Sequence, residues 1–192
     1  MSDEIKSVGV LGAGQMGRGI AEVAAQSGYP VLLADIDLPT AQSGRSAISK
    51  GLEKSVAKGK IDEATKDSIV GLIEPVGSIE QLSGVDIAIE AVTEREELKT
   101  KLFIQLDAVL GPKAILATNT SSISITRLAL ATARPSQVVG MHFMNPVPRM
   151  KLVEVICGLQ TNADTTQKTV AMAEKMNKLV VTSKDYPGFI VN

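Results

Sequence analysis

The sequence predicts an α/β fold: a doubly wound, mainly parallel sheet with helices on both faces. Three observations predict it. Short apolar runs alternate along the chain with longer amphipathic stretches, the pattern of strands followed by crossover helices. The apolar runs are continuous and rich in Val, Ile, Leu and Ala, as strands covered on both faces require. Hydrophobic residues make up 44% of the 192 but aromatic ones only 3%, so the core that such strands build is aliphatic.

Residues 7–11 read as the first strand, followed by a glycine-rich turn and a helix over 16–26 that Gly28 stops. The second strand spans 31–34. Residues 36–70 are too rich in Lys, Ser and Glu for sheet and predict two helices forming an arm, with Gly59 near the turn between them. Strands follow at 73–76 and 85–91. The helix over 94–110 is closed by Gly111-Pro112, residue types typical of a helix end. Residues 114–117 read as strand and 123–131 as helix, with further strands at 138–141, 152–156 and 179–182. Between the last two, Asp164 or Thr165 is placed to cap a helix running to about residue 176.

Residues 1–184 thus form one expected domain, with the arm at 36–70. The closing run Tyr186-Pro187-Gly188-Phe189-Ile190-Val191-Asn192 breaks the pattern and then ends on apolar side chains that want a partner surface. Residues 185–192 are therefore expected to begin a second, helical domain that lies outside this chain.

With 20 basic against 21 acidic residues, the balance of charge argues against nucleic acid as the main partner. The single cysteine, Cys157, rules out an internal disulfide framework and reads as a small buried apolar residue rather than a reactive thiol. No stretch approaches the ~20 apolar residues of a membrane-spanning helix. No charged segment followed by a long apolar stretch opens the chain as a signal peptide would. The expectation is a soluble, cytoplasmic protein without a membrane partner, and nothing in the sequence suggests a metal site.

The turn after the first strand carries G-x-G-x-x-G at Gly12, Gly14 and Gly17. Gly12 permits the tight turn and Gly14 lets the backbone approach a pyrophosphate. Gly17 lets the helix pack closely on the strand, while the helix N-terminus supplies amides and a positive dipole. Alone the motif is weak. Here it follows a strand, opens a helix, and is followed about 20 residues later by Asp35 at the end of the second strand. That carboxylate suits the ribose hydroxyls of an adenosine and repels the extra phosphate of NADP, so the expected cofactor is NAD. Asp37 competes for the role from beyond the strand end.

His142 is the only histidine. A lone histidine is more often structural or merely exposed than catalytic, but this one follows the strand at 138–141, at the carboxyl edge where open α/β sheets bind ligands. Glu154 lies inside an otherwise apolar strand, where an unpaired carboxylate is costly. A hydrogen bond to His142 on the preceding strand would satisfy both groups and give a general base; a sheet-edge glutamate facing water is the alternative. Asn145 and the run Thr118-Asn119-Thr120-Ser121-Ser122 fall at strand ends, placed either to hold a substrate oxygen or to cap the next helix. Lys50, Lys54 and Lys58 recur every four residues and form one stripe on a helix, either a solvated face or a site for anionic phosphates.

These residues carry a resemblance. GVLGAGQMGRGIA at 9–21, ATNTSSISIT at 117–126, GMHFMNPVPRMKLVEVI at 140–156 and PGFIVN at 187–192 resemble the NAD-binding domain of the L-3-hydroxyacyl-CoA dehydrogenase family, particularly its bacterial 3-hydroxybutyryl-CoA branch. The resemblance runs through essentially the whole chain. It implies that His142 and Glu154 form a catalytic dyad and that Ser121 and Asn145 contact substrate or nicotinamide. Gly12, Ala13, Gly14, Gln15, Met16 and Gly17 would border the cofactor, together with Asp35, Ala91, Glu94 and Lys99. Asn192 would line the active site.

The implied substrate is an acyl-CoA thioester, with Lys54 and Lys58 toward the CoA phosphates. A serine that the family places on the arm is replaced here by Gly51. A helical second domain would mediate dimerisation. Related dehydrogenases that act on free 3-hydroxy acids with a catalytic lysine share the glycine fingerprint, but the HFMNPVP stretch favours the histidine-based family. A cofactor-binding module with little turnover, and a fold that has lost its chemistry, are the competing readings; intact His142, Glu154, Ser121 and Asn145 speak against the second.

Overall fold

The computed structural model describes residues 4–186. Eight strands form one sheet: β1 (Val8–Leu11), β2 (Val31–Ala34), β3 (Ile73–Val76), β4 (Ile87–Glu90), β5 (Ile115–Thr118), β6 (Val138–Phe143), β7 (Leu152–Cys157) and β8 (Leu179–Lys184). Their order across the sheet is β3-β2-β1-β4-β5-β6-β7-β8. Neighbours pair in parallel throughout except β6 with β7, which are antiparallel. The chain winds outward from β1 to β3 and then returns to β4 on the other side of β1. The gap between β1 and β4 is thus the point where strand order reverses, the place such sheets bind ligands.

Six helices cover the sheet: α1 (Gln15–Gln26), α2 (Leu38–Ala57), α3 (Glu63–Gly71), α4 (Glu96–Val109), α5 (Ile125–Leu130) and α6 (Ala163–Lys175). Two apolar clusters flank the strands. Ile20 of α1, Ile48 of α2 and Met172 of α6 pack on one face against Val10, Leu33 and Ile89. Phe103 and Leu106 of α4 and Leu128 of α5 pack on the other against Ala88 and Leu116. Both clusters are dominated by Val, Ile, Leu and Ala, the aliphatic core expected from a chain poor in aromatics. The arm is the pair α2–α3, with Gly59 at positive φ in the turn between them; the Arg45 guanidinium ties it to the sheet by donating to the carbonyls of Val70 and Ile73.

Strands and helices follow in the order the sequence predicts, with two differences of consequence. Helix α6 is capped by Asn162, whose Oδ1 accepts the Thr165 amide at 2.7 Å, rather than by Asp164 or Thr165. His142 lies within β6, not after it. Strand β6 outruns β5, whose last partner in the ladder is Gly140 opposite Thr118. The Asn119 side chain takes over beyond that point and accepts the Phe143 amide at 2.9 Å. The run of apolar letters ends at Met141, but the backbone pairing does not.

Helix α1 can lie this close to β1 only because residue 17 has no side chain. A Cβ at Gly17 would stand 1.7 Å from the Gly12 carbonyl oxygen, far inside van der Waals contact, and both partners are backbone. Gly17→Ala should therefore destabilise the fold by about 3 kcal/mol or more, beyond the ordinary cost of overpacking. Thermal and urea denaturation check this, and a loss under about 1 kcal/mol would contradict the packing argument.

Candidate functional site

The glycine turn stands at the point where strand order reverses. Gly12 has φ 108° and its missing Cβ would meet the Ala91 carbonyl at 2.8 Å, so neither the turn nor the approach of β4 tolerates a side chain there. A Cβ on Gly14 would meet nothing within 4 Å; that flank of the loop faces open space, where a ligand can reach the backbone. Asp35 follows β2 and turns back on the loop: its Oδ2 accepts the Ala13 amide at 2.5 Å and its Oδ1 the Ile36 amide at 2.7 Å. An ionised carboxylate has about four lone-pair sites, which leaves capacity for ribose hydroxyls. Asp37, the competitor, is engaged elsewhere as the cap of α2, accepting the Thr40 amide at 2.8 Å.

Two cavities flank this edge. One, of about 480 Å³, is bordered by Gly12, Asp35, Ile36, Ile79 and Val92. The other, of about 330 Å³, is bordered by Met16, Ala91, Glu94, Ser121, His142 and Asn145, and it too touches Val92. An extended dinucleotide crossing the loop would reach from the Asp35 side to the His142 side. The donor set, the open flank at Gly14 and the two cavities that share Val92 as a lining residue fit NAD.

His142 and Glu154 are register partners across the antiparallel pair β6–β7, so their side chains leave the same face of the sheet. His142 Nδ1 lies 2.7 Å from Glu154 Oε2. Glu154 is completely buried and His142 is 7% exposed, which leaves the ring at the cavity wall and the carboxylate behind it. The sheet-edge alternative for Glu154 is excluded by that burial.

Glu94 organises the turn after β5. Its Oε1 accepts the hydroxyl of Thr120 at 2.5 Å, the amide of Ser121 at 2.9 Å and the hydroxyl of Ser122 at 3.1 Å. Burial pushes the Glu94 carboxyl up, but these donors and the Lys99 charge outweigh it and hold the group below the usual glutamate range. Ser121 is thereby fixed at the rim of the His142 cavity. Lys99 does not itself line that cavity. It is 1% exposed, with Nζ 2.6 Å from Glu90 Oε1 and 3.5 Å from Glu94 Oε2, and it reaches the site through Glu94.

The loop from 144 to 151 brings Asn145 to the glycine helix, where its Oδ1 accepts the Gln15 side-chain amide at 3.1 Å. Lys178, nearly buried, holds that loop from below by donating to the carbonyls of Val147 and Met150 at 2.6 and 2.9 Å; burial lowers its pKa. Lys50 and Lys54 lie exposed on α2 and Lys58 at its C-terminal cap, and none of them borders the His142 cavity. Asn192 and the run from 187 lie outside the described residues. Cys157 is half-buried, with Sγ 3.3 Å from Thr166 Oγ1.

Two residues at the site escaped the sequence reading. Glu90 ends β4 fully buried, and the reasoning that singled out Glu154, a carboxylate in an apolar strand, applies to it equally. Lys178 follows a helix end among other lysines, and no local signal marks it.

A family model described as the NAD-binding domain of 3-hydroxyacyl-CoA dehydrogenase matches residues 7–186. The chain is 46% identical over 192 residues to a 3-hydroxybutyryl-CoA dehydrogenase of Bradyrhizobium diazoefficiens, covering all of this chain and 66% of that one. It is 46% identical over 189 residues to a probable 3-hydroxybutyryl-CoA dehydrogenase of Bacillus subtilis, covering 98% of this chain and again 66% of the relative. The crystal structure of (S)-3-hydroxybutyryl-CoA dehydrogenase from Ralstonia eutropha superposes with a TM-score of 0.96 at 43% identity, covering 98% of this chain and 67% of that one. The chain thus spans about two thirds of the length of the curated relatives it matches. It belongs to the 3-hydroxyacyl-CoA dehydrogenase family, and residues 7–186 form its NAD-binding domain.

Proposed function

We propose that this chain carries out the oxidation of (S)-3-hydroxyacyl-CoA to 3-ketoacyl-CoA, with 3-hydroxybutyryl-CoA as substrate, using His142 and Glu154 as a dyad. The observation that carries the proposal is the 2.7 Å contact between His142 Nδ1 and the buried Glu154 carboxylate, at a cavity that Ser121 and Asn145 also border. NAD, when bound, supplies the acceptor for the hydride that leaves the third carbon of the substrate. His142, held by Glu154 through Nδ1, takes the proton of the 3-hydroxyl at Nε2. The ring then carries a positive charge next to a buried negative one, which stabilises it where water cannot. In reverse, the protonated ring donates to the 3-keto oxygen. Ser121 and Asn145 position that oxygen and the ring that faces it, and Glu94 keeps Ser121 in place.

Asp35 takes the adenosine ribose, and its charge disfavours the 2′-phosphate of NADP. Lys54 and Lys58 on the arm are placed to meet the CoA phosphates when the thioester lies across α2. The same proposal includes a helical domain following residue 184, a homodimer formed through it, and action in the cytoplasm in fatty-acid or butanoate metabolism. The names of the relatives support the acyl-CoA substrate. That this chain spans 66% of their length favours one second reading, a cofactor-binding module that turns over little by itself.

Loss of NADH absorbance with acetoacetyl-CoA, measured for this chain and for a version extended to the full length of its relatives, separates these readings. Turnover by the extended protein alone supports the dyad and the module together. Binding of NADH without turnover by either rejects the acyl-CoA assignment. His142→Gln should lower turnover about 10²–10⁴-fold while NAD affinity stays within about twofold; loss of both together would make the histidine structural. Asp35→Ala should weaken NAD about tenfold, the loss of one charge-assisted hydrogen-bonding group, and narrow the preference over NADP. Unchanged selectivity in calorimetric titrations would move the ribose contact elsewhere.

A further inference from the structure

One wall of the His142 cavity is acidic, and proton transfer makes no use of it. Glu94 borders the cavity, with its side chain 37% exposed and Oε2 3.5 Å from Lys99 Nζ. The ammonium of Lys99 is closer to Glu90, at 2.6 Å, and these two side chains are 1% and 0% exposed. Lysine is thus already matched by the deeper carboxylate. Two carboxylates and one ammonium leave one negative charge, carried on the face that Glu94 turns to the cavity. Among the described residues that border this cavity there is no lysine or arginine to cancel it. A further carboxylate, Glu154, lies behind His142 and is paired with it.

The oxidised and reduced nicotinamide rings have nearly the same shape, but the oxidised ring is a cation and the reduced ring is neutral. A site with a negative wall distinguishes them by charge; burial leaves the Glu90–Lys99 pair unscreened, while solvent screens part of the charge on Glu94, which is 37% exposed. We propose that the Glu90–Lys99–Glu94 triad sets the relative affinity for NAD⁺ and NADH. Glu94 presents the charge, and Glu90 is a positioning residue that acts from the core by neutralising Lys99. This rests on the reading that the nicotinamide end of the cofactor occupies the His142 cavity.

Glu90 is well suited to an isosteric test. Its Oε1 also accepts the Val92 amide and its Oε2 the Thr118 hydroxyl, both at 2.7 Å. A glutamine can keep accepting from Val92 and Lys99 through its oxygen and donate to Thr118, whose hydroxyl rotates to accept. Each of these hydrogen bonds keeps a partner while one charge disappears, and Lys99 is left with Glu94 as its only carboxylate within 4 Å among the described residues.

The test is calorimetric titration of the chain and of its Glu90→Gln, Glu94→Gln and Lys99→Met variants with NAD⁺ and with NADH. The ratio Kd(NAD⁺)/Kd(NADH) should rise about five- to tenfold in both glutamine variants and fall by a similar factor in Lys99→Met. Opposite signs for removal of an anion and of a cation are the signature that a merely structural role cannot produce. Lys99→Met leaves Glu90 buried without its cation; if that variant does not fold, the two glutamine variants carry the test. Weakening of both cofactor forms by one common factor overturns the proposal and leaves the reading of the cavity intact. If Glu94→Gln moves neither constant, the nicotinamide end lies elsewhere and that reading falls as well.

Discussion

The site is built on the carboxyl edge of the sheet, and the edge holds because the ends of β1, β4 and β5 each pass one more hydrogen bond to a neighbouring strand. Beyond the regular ladder the Gly12 amide donates to Ala34, the Ala91 amide to Leu11 and the Asn119 amide to Glu90, each at 2.8 Å. Buried backbone groups must find partners, and here the partners are the last carbonyls of adjacent strands. The glycine turn, the residues after β4 and the residues after β5 are consequently fixed against one another before any side chain acts. Gly17 then brings α1 down onto the same turn, so that the helix N-terminus aims at the space left open beside Gly14.

On this rigid edge the chain buries an unusual share of charge for its aliphatic interior. Glu90, Lys99, His142, Glu154 and Lys178 are all buried. Each has a partner that matches it: Glu90 with Lys99, Glu154 with His142, Lys178 with two backbone carbonyls. Such pairs add little net stability over apolar residues of the same volume, because desolvation consumes most of the attraction. What they confer is geometry. Removing either member leaves a buried charge alone, so the pairs hold their arrangement at a site where displacements of an ångström matter.

The loop from 144 to 151 shows how distant parts of the chain converge on one position. Lys178 follows the end of α6 and holds the loop carbonyls. Val147 packs against Gly19 of α1, where even a Cβ would stand only 2.7 Å from the Val147 Cβ. Gln15 meets Asn145 from the glycine helix. The helix that opens with the glycine turn and the loop that follows the histidine are thereby joined.

The sequence by itself determined the fold class, the order of the elements and the glycine turn, and it marked Glu154 as a carboxylate for which His142 is a fitting partner. Those features are written in local patterns: apolar runs set the strands, glycine spacing sets the turn, and a carboxylate inside an apolar strand requires a partner. The tertiary structure alone decided what lies between strands. Asp37 became a helix cap while Asp35 faced the loop, because only the latter sits where β2 meets the glycine turn. Lys99 turned inward to Glu90, the Asn119 side chain extended a ladder at the wall of the His142 cavity, and Lys178 became the support of the loop from 144 to 151. Hydrogen bonds between residues 9 to 31 positions apart, such as Lys99 with Glu90 and Lys178 with Val147, depend on the register and packing of separate elements, and a linear pattern does not encode which of several lysines or acids will be the one enclosed.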